Sequence, residues 1–184
     1  MRHCASPVFI LYAIPIGILA GYLTGGRLER LGDVRFRWGW LAIAGLMVQV
    51  VLFSGFLDGV VDGGVGGSIY VLSTAAVLLA VLRNLALPGM VLVAAGAACN
   101  LAAIVANGGV MPTTTAALSA AGMDPADGFS NSAVLADPAI APLTDIFALP
   151  PWIPFANVFS VGDVLLGAGV AVVIAMGMRR RAPA

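Results

Sequence analysis

The chain has 184 residues, of which 60% are hydrophobic and 10% charged, with nine basic and nine acidic side chains that cancel, and its mean hydropathy is +1.02. Soluble domains are about 45–50% apolar and about 25% charged, so this is the composition of a membrane protein. At about 20 residues per helical crossing roughly five spans and their loops fill the length, which leaves no room for a separate soluble enzyme domain. Every basic residue is Arg, and none of them clusters with aromatics as a nucleic-acid surface requires, so nucleic acid is not expected as a partner.

The first predicted span covers residues 8–23. Pro15 is expected to kink it, and Gly17, Gly21 and Gly25 recur every four residues, a spacing that lets helix backbones approach closely. A cleaved signal peptide fits poorly, because the basic residues follow the apolar run and no A-x-A-like site precedes "GGRLERL". The following "RLERLGDVRFRW" spaces Leu28, Leu31 and Val34 for a short helix lying in the membrane interface; it also permits an extended entry to the next span. That span, residues 38–57, carries Gln49. The third, 68–82, is short enough to need flanking residues or a thinned bilayer. The fourth, 88–106, carries Cys99 and Asn100. Side-chain amides at mid-span seek interhelical hydrogen bonds.

The fourth span stops on "IVANGGVMP" rather than on charges. Asn107, Gly108 and Gly109 tolerate the positive φ of a helix C-cap, and Pro112 prevents continuation; a ligand-facing nest is the alternative reading. A long connection, 107–160, then runs without Lys or Arg. Its first half is Ala-rich and then Asp/Gly/Ser-rich. Its second half places Phe147, Trp152, Phe155 and Phe159 among prolines, a pattern suited to the headgroup level, so this loop is expected to lie across the mouth of the bundle. A further span there would bring Asp137, Asp145 and several prolines into hydrocarbon. The last span, 164–178, opens on "SVGD", where Ser160 and Asp163 have capping-box spacing; a functional carboxylate at Asp163 is the rival reading. Gly167, Ala171 and Ala175 repeat the small-residue spacing, either for packing inside the bundle or as a face for a partner subunit.

Loops rich in Arg stay cytoplasmic. Arg27, Arg30, Arg35, Arg37, Arg83, Arg179, Arg180 and Arg181 all fall on one side of a five-span thread. The other side holds only Arg2 and collects Asp58, Asp62, Asp124, Asp127, Asp137, Asp145 and Asp163. The N-terminus is therefore expected outside and the C-terminus in the cytoplasm, in the bacterial inner membrane. Cys4 and Cys99 should be too far apart along the membrane normal to bridge. His3 is the lone histidine, and no Cys/His/Asp/Glu set has zinc spacing; no metal or cofactor is expected. Walker, H-E-x-x-H and G-x-S-x-G motifs are absent, and no predicted span has a charged residue at mid-depth, where proton pathways place one.

Three stretches, "GGRLERLGDVRFRW", "ANGGVMP" and "DIFALP" through "NVFSVGD", together resemble a family of small bacterial multipass membrane proteins catalogued as a domain of unknown function. The resemblance spans nearly the whole chain and implies a bacterial cytoplasmic-membrane protein of the same helical plan, with no activity attached. The expected architecture is an all-α bundle of five transmembrane helices in one domain, in contact with lipid. The leading functional expectation is a non-enzymatic accessory or structural subunit of a membrane complex. The alternative is a small-molecule binding or transport component, with an outer pocket lined by Asn107, Asp145 and Asp163.

Overall fold

The computed structural model describes residues 8–57, 60–123 and 132–179. Arg2, His3, Cys4, Asp58, Asp124, Asp127, Arg180 and Arg181, which entered the readings above, lie outside them. The protein is mostly helical. A 3₁₀ turn, Val8–Tyr12, leads into α1 (Ala13–Leu23), and α2 (Gly39–Leu52), α3 (Gly63–Leu82), α4 (Met90–Ala106), α5 (Thr115–Ala121) and α6 (Val161–Gly177) follow. Four short strands modify the all-α expectation: β1 (Met111–Thr113) pairs in parallel with β2 (Ser132–Val134), and β3 (Phe147–Ala148) antiparallel with β4 (Val158–Phe159). They form because the 107–160 segment folds back on itself and its backbone groups need partners.

The helices do not pack in chain order. Helix α6 inserts between α1 and α4, α4 packs on α3, and α3 on α2. The reason is visible in the small residues of α6 and its neighbours. A methyl group at Gly96 of α4 would lie 2.4 Å from the Gly162 carbonyl oxygen, and one at Gly169 would lie 2.8 Å from the Gly89 carbonyl oxygen. Glycines seven residues apart on each helix thus meet in register and bring the two backbones into contact. On the opposite side, a methyl at Gly17 would sit 2.8 Å from the Ala171 carbonyl oxygen, and one at Gly21 would strike the Met178 sulfur at 2.3 Å.

Many large aliphatic side chains point the other way, while Leu52, Val81, Val93 and Ile104 are buried. Ile16, Leu19, Ile43, Leu72 and Val91 are all more than half exposed, whereas the buried positions of α1 are Ala13, Gly17 and Gly21.

The third helix takes in the flanking residues that 68–82 alone lacked: it is 20 residues, the longest among the described residues, because the "GGVGG" stretch continues the helix. The Asp62 side chain caps it by accepting from the Val65 N–H at 2.8 Å, and Gly67 is where the backbone of Gly108 and Gly109 comes against it. By length and composition α3 is the one helix among the described residues long and apolar enough to cross a membrane; Ile10–Leu23, Gly39–Leu52, Met90–Ala106 and Val161–Gly177 are shorter apolar helices. The second helix ends at Leu52, earlier than residue 57, and the last begins at Val161, at its Ser160 cap.

The predicted interfacial helix is a 3₁₀ turn, Leu28–Asp33. Its Leu31 and Val34 side chains close over Gly177 at the end of α6, and the Arg27 N–H donates to the Met178 carbonyl at 2.8 Å.

Candidate functional site

The polar side chains of the interior gather where α4 ends, α6 begins and the 107–160 segment folds over both. Ser160, fully buried, is the N-cap of α6. Its hydroxyl accepts from the Asp163 N–H at 3.1 Å, and the Asp163 carboxylate accepts from the Ser160 N–H at 2.9 Å, completing a capping box. Asn100, one helix away on α4, joins it. The Asn100 Nδ2 donates to Asp163 Oδ1 at 2.8 Å, and the Ser160 hydroxyl lies 2.9 Å from Asn100 Oδ1 and 3.0 Å from Asp163 Oδ2. A methyl at Gly162 would lie 1.8 Å from Asn100 Oδ1, so the absent side chain is what admits the amide.

Asn107 answers why α4 stops where it does. The Gly109 N–H donates to the Ile104 carbonyl at 2.9 Å and the Gly108 N–H to Val105, with both glycines at positive φ, a Schellman end. The Asn107 side chain then mimics a peptide. Its Nδ2 donates to the Ala139 carbonyl at 2.9 Å and to Ala103 at 2.8 Å, while its Oδ1 accepts from the Ala139 N–H at 2.8 Å. Helix α4 is thereby latched to the middle of the long connection.

Asp145 is the third junction. It is 6% exposed. Its N–H donates to Pro112 at 2.9 Å, its carbonyl accepts from the Thr113 hydroxyl at 3.0 Å, and its carboxylate accepts from the Ser132 hydroxyl at 3.2 Å. One residue thus ties β1, β2 and its own segment together. Burial, reinforced by the charge of Asp163, raises its pKa to about 7, against the Ser132 hydrogen bond, which lowers it.

The rest of the connection is packed rather than extended. Ala117, Leu118, Ala121, Met123 and Val158 form a small core of their own. Phe147 and Phe159 stack with centroids 5.5 Å apart, whereas Trp152 and Phe155 are 80% and 66% exposed. The Tyr12 hydroxyl donates to the Pro154 carbonyl, joining the aromatic stretch to the start of the chain.

Asp145 and Asp163 are close enough to interact electrostatically, while Asn107 is engaged with Ala103 and Ala139 instead. An open groove of about 490 Å³ lies elsewhere, between α3 and the end of α4, lined by Gly67, Val71, Leu72, Val105, Gly108 and Gly109. None of the three expected pocket residues lines it. Gly17, Gly21 and Ala171 lie in the contact between α1 and α6, Gly167 is buried, Ala175 is half-buried, and Gly25 is at a positive-φ turn with open space where a side chain would be. Gln49 bridges α2 to α3 through the Ser73 and Thr74 hydroxyls at 3.3 and 3.2 Å.

Sequence reading missed Asn84, Thr113, Ser132 and the glycine pairs of α4 and α6. Asn84 is the counterpart of Asn107 at the end of α3. Its Oδ1 accepts from the Arg37 N–H at 2.8 Å and its Nδ2 donates to the Arg37 carbonyl at 2.7 Å. An asparagine just past each apolar run, at 84 and at 107, was the available signal. Among the described residues no three His, Cys, Asp or Glu side chains gather as metal ligands.

A family of unknown function, DUF5317, matches residues 33–175. The match includes "ANGGVMP" and "NVFSVGD" and begins beyond "GGRLERL". No curated protein and no solved structure matches significantly. The chain belongs to the DUF5317 family.

Proposed function

We propose that this member of the DUF5317 family is a multipass protein of the bacterial cytoplasmic membrane, crossing five times with its N-terminus outside, and that it serves as a non-enzymatic accessory or structural subunit. One observation carries the membrane reading: the helices are built inside out by size. Glycine, alanine and serine set the closest contacts, beside a few larger buried residues such as Val81, Met90, Val93 and Ile104, and many large aliphatic residues cover the outward surface. In water such a surface would be an extended apolar patch of the kind soluble monomers avoid; in lipid, where helices associate through packing rather than through the hydrophobic effect, small residues belong at the contacts. At 1.5 Å per residue α3 spans about 30 Å, the thickness of the hydrocarbon core. The 17-residue helices Met90–Ala106 and Val161–Gly177 reach about 26 Å, whereas the 14-residue helices Ile10–Leu23 and Gly39–Leu52 reach about 21 Å, so those two crossings need flanking residues as well as a thinned bilayer.

The subunit reading is supported by the use to which the polar groups are put. Asn107 and Asp145 use their hydrogen bonds to hold an outer cap on the helix ends, and Asn100, Ser160 and Asp163 use theirs to join α4 to the start of α6. That cap presents Trp152 and Phe155 outward. Gly17 and Gly21 face α6 of the same chain, so a partner subunit would use the large aliphatic faces or the cap. Purification in mild detergent from the native membrane, with mass spectrometry of what is retained, tests this. A stoichiometric protein partner is expected. A bare protein carrying one recurrent small molecule would overturn the subunit reading and favour the groove at Gly67, Val71 and Val105 as a ligand site.

A further inference from the structure

The buried carboxyl at Asp145 has a feature that a purely structural tie does not need. The buried carboxyl of Asp145 in the outer cap and the half-buried carboxyl of Asp163 at the start of α6 interact without a cation from the elements around them: residues 107–160 contain no Lys, Arg or His, and neither do α3, α4 and α6. The titratable groups that face Asp145 are the Asp163 carboxylate at the start of α6 and the Tyr70 phenol of α3, both coupled to it electrostatically. Asp163 is compensated by the Asn100 amide and the Ser160 N–H. Asp145 has the Ser132 hydroxyl for its carboxylate, while its backbone holds Pro112 and Thr113.

We propose that Asp145 is a pH-sensitive latch of the outer cap: protonated, it keeps β1, β2 and residues 144–146 closed over the helix ends, and ionised, it sets a second negative charge against Asp163 and loosens them. The closed cap holds the carboxyl's pKa near 7, whereas an open, hydrated Asp145 titrates near its ordinary value of 3.8. Because the closed state binds the proton more tightly, its advantage over the open state is full below the lower value, declines through the window between the two, and levels off above the upper one. A cap on the outer face of a membrane meets that range of pH directly. The inference concerns the cap alone and stands or falls separately from the subunit reading.

Hydrogen–deuterium exchange of the full chain in mild detergent, from pH 4.5 to 8.5 and corrected for intrinsic exchange, tests it. Protection of peptides covering 111–113 and 144–146 is expected to fall roughly tenfold per pH unit up to about 7 and then to level off, while α3 peptides hold constant. In Asp145→Asn the protection should be independent of pH. Ser132→Ala, which removes the hydrogen bond that favours ionisation, should move the levelling-off point upward and keeps the test open if Asp145→Asn does not accumulate. A flat wild-type profile, an unchanged slope in Asp145→Asn, an unmoved levelling-off point in Ser132→Ala, or a parallel fall in α3 would overturn the latch.

Discussion

At Gly162 the space beside the Cα is already filled by the Asn100 amide and, at 2.9 Å from where a methyl would stand, by the Gly96 carbonyl oxygen. An alanine there must push a helix aside or expel the amide from its bond to Asp163. Overpacking of this kind costs about 1–3 kcal/mol, and breaking the amide's hydrogen bonds adds to it. Gly162→Ala and Gly96→Ala should therefore lower the melting temperature in detergent clearly. Gly32→Ala, at a position with open space, should leave it unchanged. Ser160→Ala removes the N-cap and should cost about 1 kcal/mol or more, measured in the same assay. Ser160 and Asp163 lie three residues apart, a spacing that can be read along the chain. The third member of their network, Asn100, is 60 residues from Ser160, and only the crossing of α4 and α6 brings it there.

The elements are held at their ends by asparagines. Asn84 at the end of α3 and Asn107 at the end of α4 each replace a missing strand partner, offering one donor and one acceptor to a single residue of a distant loop. Loss of such bonds costs about 1–3 kcal/mol at the buried Asn84 and less at the half-buried Asn107, and its effect should be local. Asn84→Ala is expected to speed tryptic cleavage at Arg35 and Arg37, and Asn107→Ala to speed chymotryptic cleavage near Phe147 and Trp152, with little change in the opposite loop. Equal acceleration at both ends in either variant would contradict the latch role. The helices themselves were legible as apolar runs. The start of α3 was not, because five residues rich in glycine argue against helix until a cap at Asp62 and a close neighbour at Gly109 hold them there. Nor were the strands of the cap, which are two or three residues long; β1 and β2 are tied together by Asp145, far from either in sequence, rather than by any alternation of their own.

For the whole molecule, composition is that of a membrane protein, and α3 is the one helix among the described residues long and apolar enough to cross a membrane. The order of the helices was beyond the chain's pattern, since α6 enters between α1 and α4 through glycines whose partners lie 66 and 80 residues away on the α4 side and more than 150 away on the α1 side. What holds the account together is the claim that the Arg-bearing loops and the 107–160 cap face opposite sides of a membrane. In a background with Cys4 and Cys99 replaced by serine, Ser119→Cys in the exposed face of α5 and Arg30→Cys in the loop after α1 can be challenged with a membrane-impermeant maleimide on bacterial cells whose outer barrier is opened and inner membrane intact. The account predicts labelling of the cysteine at 119 before lysis and of the cysteine at 30 only after it; equal labelling of both in intact cells, or recovery of the protein in the soluble fraction, would contradict it.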